Sequence, residues 1–495
     1  MDEKTIIALE IGSSKIKGAI GTVSAHAPLN VTAVEEEPIL DIVRYGMIRN
    51  IFETAQAVRN VITRLENREA PRKVQAVYLS IGGRSLISQP VERERRLPSE
   101  TIITKELIQD ITAEVLDSPL PDRTIVGATL RGLLIDNTAT TRPIGVMGSH
   151  VQARFNLISC RSQMMRNLAV VIEEKLGLKI ADTFVRPLAI ADMVLQNDEK
   201  KLGCMLVDFG AETTTVAIFR EGSLVHLAVL PMGSRNITRD IASLNYLEEQ
   251  AEEIKKTVGS AIPSGPENVA SMVGQTAHDP ATINNYVAAR ANEIIHNICE
   301  QIKYAGLTPD RLPDGIIIVG RGSRLARFNQ RLEQLSGLKV RTGAPGNRLR
   351  ILDGRIQAAD SVDVLSILAA AAHSEPIDCL SPAPQPMYQP QQPMGYQQPQ
   401  QGAYQPQQGA FQPQQGYQQP QQGAYQPQQP QPAYQPQQPQ QPQQPQPQQP
   451  QQQPQQGGYQ QQGGYQPAAA RQASPQGYGP ANPRYQAPVY APMQP

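Results

Sequence analysis

The sequence predicts an α/β protein of two related lobes, followed by a long tail that builds no core. Three observations carry this. A strand–turn–strand motif occurs twice, 198 residues apart. Apolar segments of strand and helix period alternate up to about residue 375, punctuated by Gly, Pro and Asn. Near residue 376 the composition turns abruptly to Gln, Pro and Tyr.

The first copy of the motif is "ALEIGSSKIKGAIG", residues 8 to 21. "TIIALEI" reads as a buried strand, rich in β-branched residues and free of breakers, and "KIKGAIG" as its hairpin partner. Gly-Ser-Ser between them is ordinary turn chemistry. No Gly-Lys-Ser/Thr follows, so this is not a Walker loop. Taken alone, the window is a plain turn.

The second copy, "LVDFGAETTTVAIF" at residues 206 to 219, changes that reading. Asp208 falls on Glu10, Gly210 on Gly12, Ala217 on Ala19 and Ile218 on Ile20. Two turns facing each other across a cleft clasp a polyphosphate with their backbone N–H groups. Gly12 and Gly210 let the backbone come close. Ser13, Ser14, Thr213 and Thr214 add hydroxyl donors, with Lys15, Ala211 and Glu212 in the same turns. Glu10 and Asp208 are placed to hold the waters of a Mg²⁺, a hard ion that prefers oxygen ligands.

Composition narrows the class further. After Asp378 there is no acidic residue, and only Arg471 and Arg484 are basic, so residues 1–378 hold 43 basic and 45 acidic side chains. That balance argues against nucleic acid as a partner. Cys160, Cys204, Cys299 and Cys379 are far apart and the six histidines do not cluster, which argues against a zinc site or disulfide framework and for a reducing cytosol. "MDEKTII" does not open a secretory signal, and no apolar run approaches the roughly 18 residues of a membrane span.

The tail repeats "YQPQQ". It cannot bury enough apolar surface to offset the entropy of ordering, and Pro blocks helices and ladders. An extended, partly polyproline coil is expected, with an end-to-end distance on the order of 60 Å for about 115 residues. A passive tether is the simpler reading, and a self-associating or partner-recruiting Tyr/Gln segment the sharper one.

The paired acid-x-Gly-Ser/Thr hairpins resemble those of the actin, Hsp70 and sugar-kinase superfamily. Other stretches are similar to FtsA, the bacterial cell-division actin homologues: "LPMGSRNITRDIASL" (230–244), "AEEIKKTVGSA" (251–261), "RPIGVMGSHVQARFNLI" (142–158) and "VRYGMIRNI". The resemblance runs from about residue 5 to 370 in the family's order. Two motifs depart from it: Ser234 stands for the second Gly of Pro-x-Gly-Gly, and Val319 and Arg321 stand for Thr and Gly in the late Thr-Gly-Gly-Gly turn, "IIIVGRGSRL".

The resemblance implies an actin-like two-lobed ATPase fold. Residues 1–82 and 159–195 would form the first lobe. Residues 83–158 would be an inserted subdomain for self-association and other division proteins. Residues 196–375 would form the second lobe with its peptide-binding part, and 376–495 the disordered tail. It implies ATP or ADP with Mg²⁺ as ligand. Gly233, Gly320, Gly322 and Ser323 would join the nucleotide site, with Arg321 narrowing the base pocket or stacking on the base. Glu252 and Lys255 would reach the nucleoside, although their spacing also fits a helix-surface ion pair. Glu10 is the candidate for ordering a water.

In "TINNYVAARANEIIHNICEQIKYAG", Ile294, Ile298 and Ile302 take helical core spacing. Arg290 and Glu293 match the part of the family that binds the C-terminal peptide of the tubulin homologue FtsZ. The implied function is a weakly polymerising scaffold that tethers FtsZ filaments to the inner face of the membrane at the division site. The family's terminal basic amphipathic helix has no counterpart in "PVYAPMQP", so attachment would be weak and direct, or through a partner. Two alternatives stand beside this. One is an actin-like scaffold of type IV pilus assembly. The other is a metabolite kinase of the superfamily, for which Asp182 or Asp192, both in helix-like surroundings, would be the catalytic acid.

Overall fold

The computed structural model describes residues 3–24, 28–140, 142–263, 278–382 and 489–490. Strands β1 (Lys4–Ile11), β2 (Lys15–Val23) and β3 (Leu29–Pro38) form an antiparallel meander. Ile6, Ile7, Ala8 and Leu9 are fully buried in succession, because both faces of this sheet are covered. A small hairpin follows, β4 (Val43–Arg44) and β5 (Met47–Ile48), with Tyr45 and Gly46 both at positive φ. Helix α1 (Ile51–Glu69) starts where the Asn50 side chain accepts from the Glu53 N–H, and buries Val58, Val61, Ile62 and Leu65 at 3.6-residue period. Strand β6 (Ala76–Ile81) then lies parallel to β1.

The chain next leaves this sheet and builds another. Strands β7 (Ile87–Ile102), β8 (Arg123–Ile135) and β10 (Met147–Arg161) pair antiparallel, with the short β9 (Thr138–Thr140) on β8. Helix α2 (Lys105–Leu116) covers one face through Ile111 and Val115. Ser99 to Ile102 still belong to β7, and the Thr104 side chain caps the helix by accepting from Leu107 N. Helix α3 (Ser162–Ala169) leads back to β11 (Lys179–Val185), which pairs parallel with β6, and to α4 (Arg186–Val194), with Pro187 in its first turn.

After α5 (Asn197–Leu202) the opening pattern repeats. Strands β12 (Cys204–Phe209), β13 (Thr214–Arg220) and β14 (Ser223–Leu230) form a second meander. Helices α6 (Ser234–Ala242), α7 (Glu248–Thr257) and α8 (Pro280–Tyr304) pack on it, and Ile294, Ile298 and Ile302 of α8 face the core as their spacing predicts. Strand β15 (Ile316–Val319), α9 (Phe328–Ser336) and β16 (Val340–Thr342) complete this five-stranded sheet.

The last part returns to the first sheet. Strand β17 (Leu349–Ile351) pairs parallel with β3. Helix α10 (Val362–His373) buries Val364, Leu365, Ile367 and Leu368 in the same core as β1 and β6. The boundary drawn at 375 assigned this segment to the second lobe. The structure puts it with the first, because the apolar face of α10 is satisfied there. The tail residues 383–488 and 491–495 lie outside the described residues. Val489–Tyr490 (β18) pairs parallel with Ala128–Thr129 of β8. No helix among the described residues is long and apolar enough to cross a membrane.

Candidate functional site

The two hairpin turns meet at one cleft of about 100 Å³, open to solvent. Glu10, Gly12, Ser13, Ser14 and Lys15 line it from the β1–β2 turn. Asp208, Gly210, Ala211, Glu212 and Thr213 line it from the β12–β13 turn, and Gly320 and Arg321 from beyond β15. The turns are built alike. Gly12 N donates to Lys15 O at 3.0 Å, and Gly210 N to Thr213 O at 3.0 Å. A Cβ on either glycine would lie 2.9–3.0 Å from that same carbonyl, so neither turn has room for a side chain.

Six residues expected in the nucleotide set do not line this cleft. Thr214 is fully buried and donates to Met232 O at 2.9 Å. Gly233 presses on the second turn, where a Cβ would sit 2.4 Å from Ala211 O. Glu252 and Lys255 pair with each other at 2.6 Å, and both bond Thr238. Burial opposes the Glu252 charge, but Lys255 outweighs it and holds the carboxyl below its usual range. Gly322 packs on Phe209, and Ser323 donates to Gly320 O at 2.7 Å, so both shape the turn from behind. Gly320 takes φ +87, and a Cβ there would meet Phe209 O at 2.5 Å.

Arg321 reaches across the cleft rather than lying along it. Its guanidinium pairs with Glu36 of β3 at 3.2 Å and with Asp360, just before α10, at 3.4 Å. Glu36 is also held by Lys15.

Several groups at the site carry no sequence signature. Arg186, the first residue of α4, lies between the paired carboxylates. Its Nη1 donates to Glu10 Oε1 at 2.8 Å, and Nη2 pairs with Asp208 Oδ2 at 3.0 Å. Burial works against the Arg186 charge, but Asp208, Glu10 and Asp363 together raise its pKa. Lys17 donates to Asp363 at 2.6 and 2.9 Å. Burial, and then the charge of Asp363, push the Glu10 carboxyl up to about 7, against the pull of Arg186 and Lys17.

Glu212 is buried and accepts from both halves of the molecule. Tyr45 N donates to its Oε2 at 2.6 Å, and Arg44 Nε pairs with Oε1 at 2.9 Å. Arg235 and Arg239 of α6 approach the same oxygen at 3.2 and 3.4 Å. Next to Tyr45, Gly46 N donates to Ser13 Oγ at 2.9 Å. The tip of the β4–β5 hairpin thus holds both turns through two consecutive N–H groups.

Asp182 and Asp192 do not line the cleft. Asp182 stands on β11, not in a helix, and accepts from Thr183 N. Asp192 pairs with Lys200 at 2.7 Å. Outside the cleft lining, Arg290 of α8 grips Asp240 of α6 through two bonds, at 2.6 and 3.0 Å, and also pairs with Glu293. Tyr286, one turn earlier on α8, is 42% exposed.

Two matched meanders and two matched turns around one cleft define an actin-like nucleotide-binding fold. The family model "Cell division protein FtsA" matches residues 205–366. The chain is 30% identical to the cell division protein FtsA of Porphyromonas gingivalis over 337 residues, covering 66% of this chain and 70% of that protein. It is 30% identical to the Neisseria meningitidis FtsA over 387 residues, covering 75% of this chain and 91% of that one. A solved structure of the "PilM-PilN type IV pilus biogenesis complex" shares the fold, with a TM-score of 0.54 at 18% identity over 74% of this chain and 98% of that one. The chain belongs to the FtsA family of cell division proteins.

Proposed function

We propose that this protein is an actin-like cell-division scaffold that binds adenine nucleotide, ATP or ADP, between its two turns. The observation that supports this best is the paired geometry of the Gly12 and Gly210 turns on one cleft. Polyphosphate would rest on their N–H groups and on the hydroxyls of Ser13, Ser14 and Thr213. At Glu10 and Asp208, the carboxylates from which a Mg²⁺ site was expected, stands the guanidinium of Arg186. Glu252, Lys255, Gly233, Gly322 and Ser323 would support the nucleoside side from behind, and Arg321 would close over it.

The scaffold would take the C-terminal peptide of FtsZ on the α6–α8 face at Arg290 and Glu293. It would self-associate into protofilaments and offer residues 83–158 to copies of itself and to other division proteins. It would reach the inner face of the membrane directly or through a partner. A metabolite kinase fits less well, because neither Asp182 nor Asp192 faces the cleft. The pilus-scaffold alternative rests on fold likeness alone.

Titration with a fluorescent ATP analogue tests the clasp. Gly210→Asp forces a side chain against Thr213 O and puts a carboxylate where phosphate would lie. It is expected to weaken binding by more than about 100-fold, a like-charge cost of several kcal/mol. Unchanged affinity in a folded variant contradicts the assignment.

A further inference from the structure

We propose that the Arg186 guanidinium takes the place of the divalent cation, so that this chain binds ATP without a metal. The inference rests on the nucleotide-cleft reading above. Glu10 and Asp208 occupy the same position in the two copies of the motif, and both are buried, at 3% and 7% exposure. Two such carboxylates need a cation between them. One is already there, part of the chain, 2.8 Å from the first and 3.0 Å from the second.

The residues do not fit a resident Mg²⁺. That ion needs near-octahedral oxygen ligands at about 2.0–2.1 Å. Both carboxylates are engaged by the guanidinium, and a metal beside them would meet its fixed positive charge. The nearby Asp363 is no substitute, because Lys17 already holds both its oxygens.

Arg186 is also fixed in place. It opens α4 just ahead of Pro187, and the guanidinium lies beside Gly82. A Cβ on Gly82 would come 3.2 Å from Arg186 Cζ. Its Nε has no hydrogen-bond partner among the described residues. Two of its five N–H groups serve the carboxylates, and the planar fork leaves others for an anion. Arg186 itself lines the cleft. A guanidinium suits phosphate oxygens, and at this point it would bridge the β1 and β12 carboxylates to the polyphosphate.

The test is ATP binding to the full chain by calorimetry, once with excess Mg²⁺ and once with excess EDTA. The proposal predicts dissociation constants within about threefold of each other, a difference under 1 kcal/mol. Arg186→Lys should keep this metal independence. Arg186→Gln should bind at least about tenfold more weakly in EDTA and recover with Mg²⁺, because the freed carboxylates then take the ion. Wild-type binding that needs Mg²⁺ overturns the proposal and leaves the nucleotide cleft standing. No ATP binding in either buffer overturns both. If Arg186→Gln fails to fold, the wild-type comparison alone still decides.

Discussion

Glu10 shows at the scale of one residue how burial and charge set a protonation equilibrium. Burial and the neighbouring Asp363 raise its pKa from 4.5 to about 7, although Arg186 and Lys17 oppose them. Between those values the native chain holds a proton that the unfolded chain has released. Stability from this group is therefore greatest below about pH 4.5, falls as pH rises, and levels off above about 7. Glu10→Gln removes that slope. Denaturant melts at pH 5 and pH 8 should show the wild type losing stability relative to the variant, by at most about 3 kcal/mol. Parallel pH dependence in the two proteins would mean that Glu10 titrates normally. Glu10 was legible as a site residue because its counterpart Asp208 repeats it. Arg186 was not, since one cation between Val185 and Pro187 has no spacing to mark it. Lys17, inside an apolar strand, was hidden in the same way.

At the scale of elements, the β4–β5 hairpin joins the two turns. Tyr45 and Gly46 can point consecutive N–H groups at Glu212 and Ser13 because both take positive φ. Gly46 must also lack a side chain, since a Cβ would lie 2.6 Å from Gly83 Cα. Glu212 thus ties the second turn to Arg44 and Tyr45 of the first half before any nucleotide arrives. Glu212→Gln keeps the shape but loses the charge that three arginines share. Hydrogen exchange should show the Tyr45 amide opening at least about tenfold faster in that variant, since charge-assisted bonds are worth roughly 1.5–3 kcal/mol. Unchanged protection would mean that the hairpin is held by its own packing. Nothing in "VRYGMIRNI" announces this role, because the contact joins residues 167 positions apart. The helical period of α8 was readable at once, since local spacing alone decides which isoleucines are buried.

For the whole molecule, the duplicated motif revealed two lobes because each copy builds the same meander and turn. The return of β17 and α10 to the first sheet was not legible. An apolar helix such as "VDVLSILAAAAH" is hydrophobic nearly all round, so its composition does not say which core receives it. The surface that would meet FtsZ gave only a pattern, Arg290 and Glu293, and the structure shows those charges already engaged with Asp240 and with each other. A bound peptide would have to share or replace that clasp. The most direct measurement is fluorescence anisotropy of the C-terminal peptide of the same cell's FtsZ against the full chain. Arg290→Glu is run beside it, with melting temperature as the control for folding. The account predicts saturable binding that the variant weakens at least about tenfold, in keeping with loss of a charged anchor. Absence of binding to the folded, ATP-loaded wild type would contradict the FtsZ-tethering reading and leave the family membership and the actin-like fold.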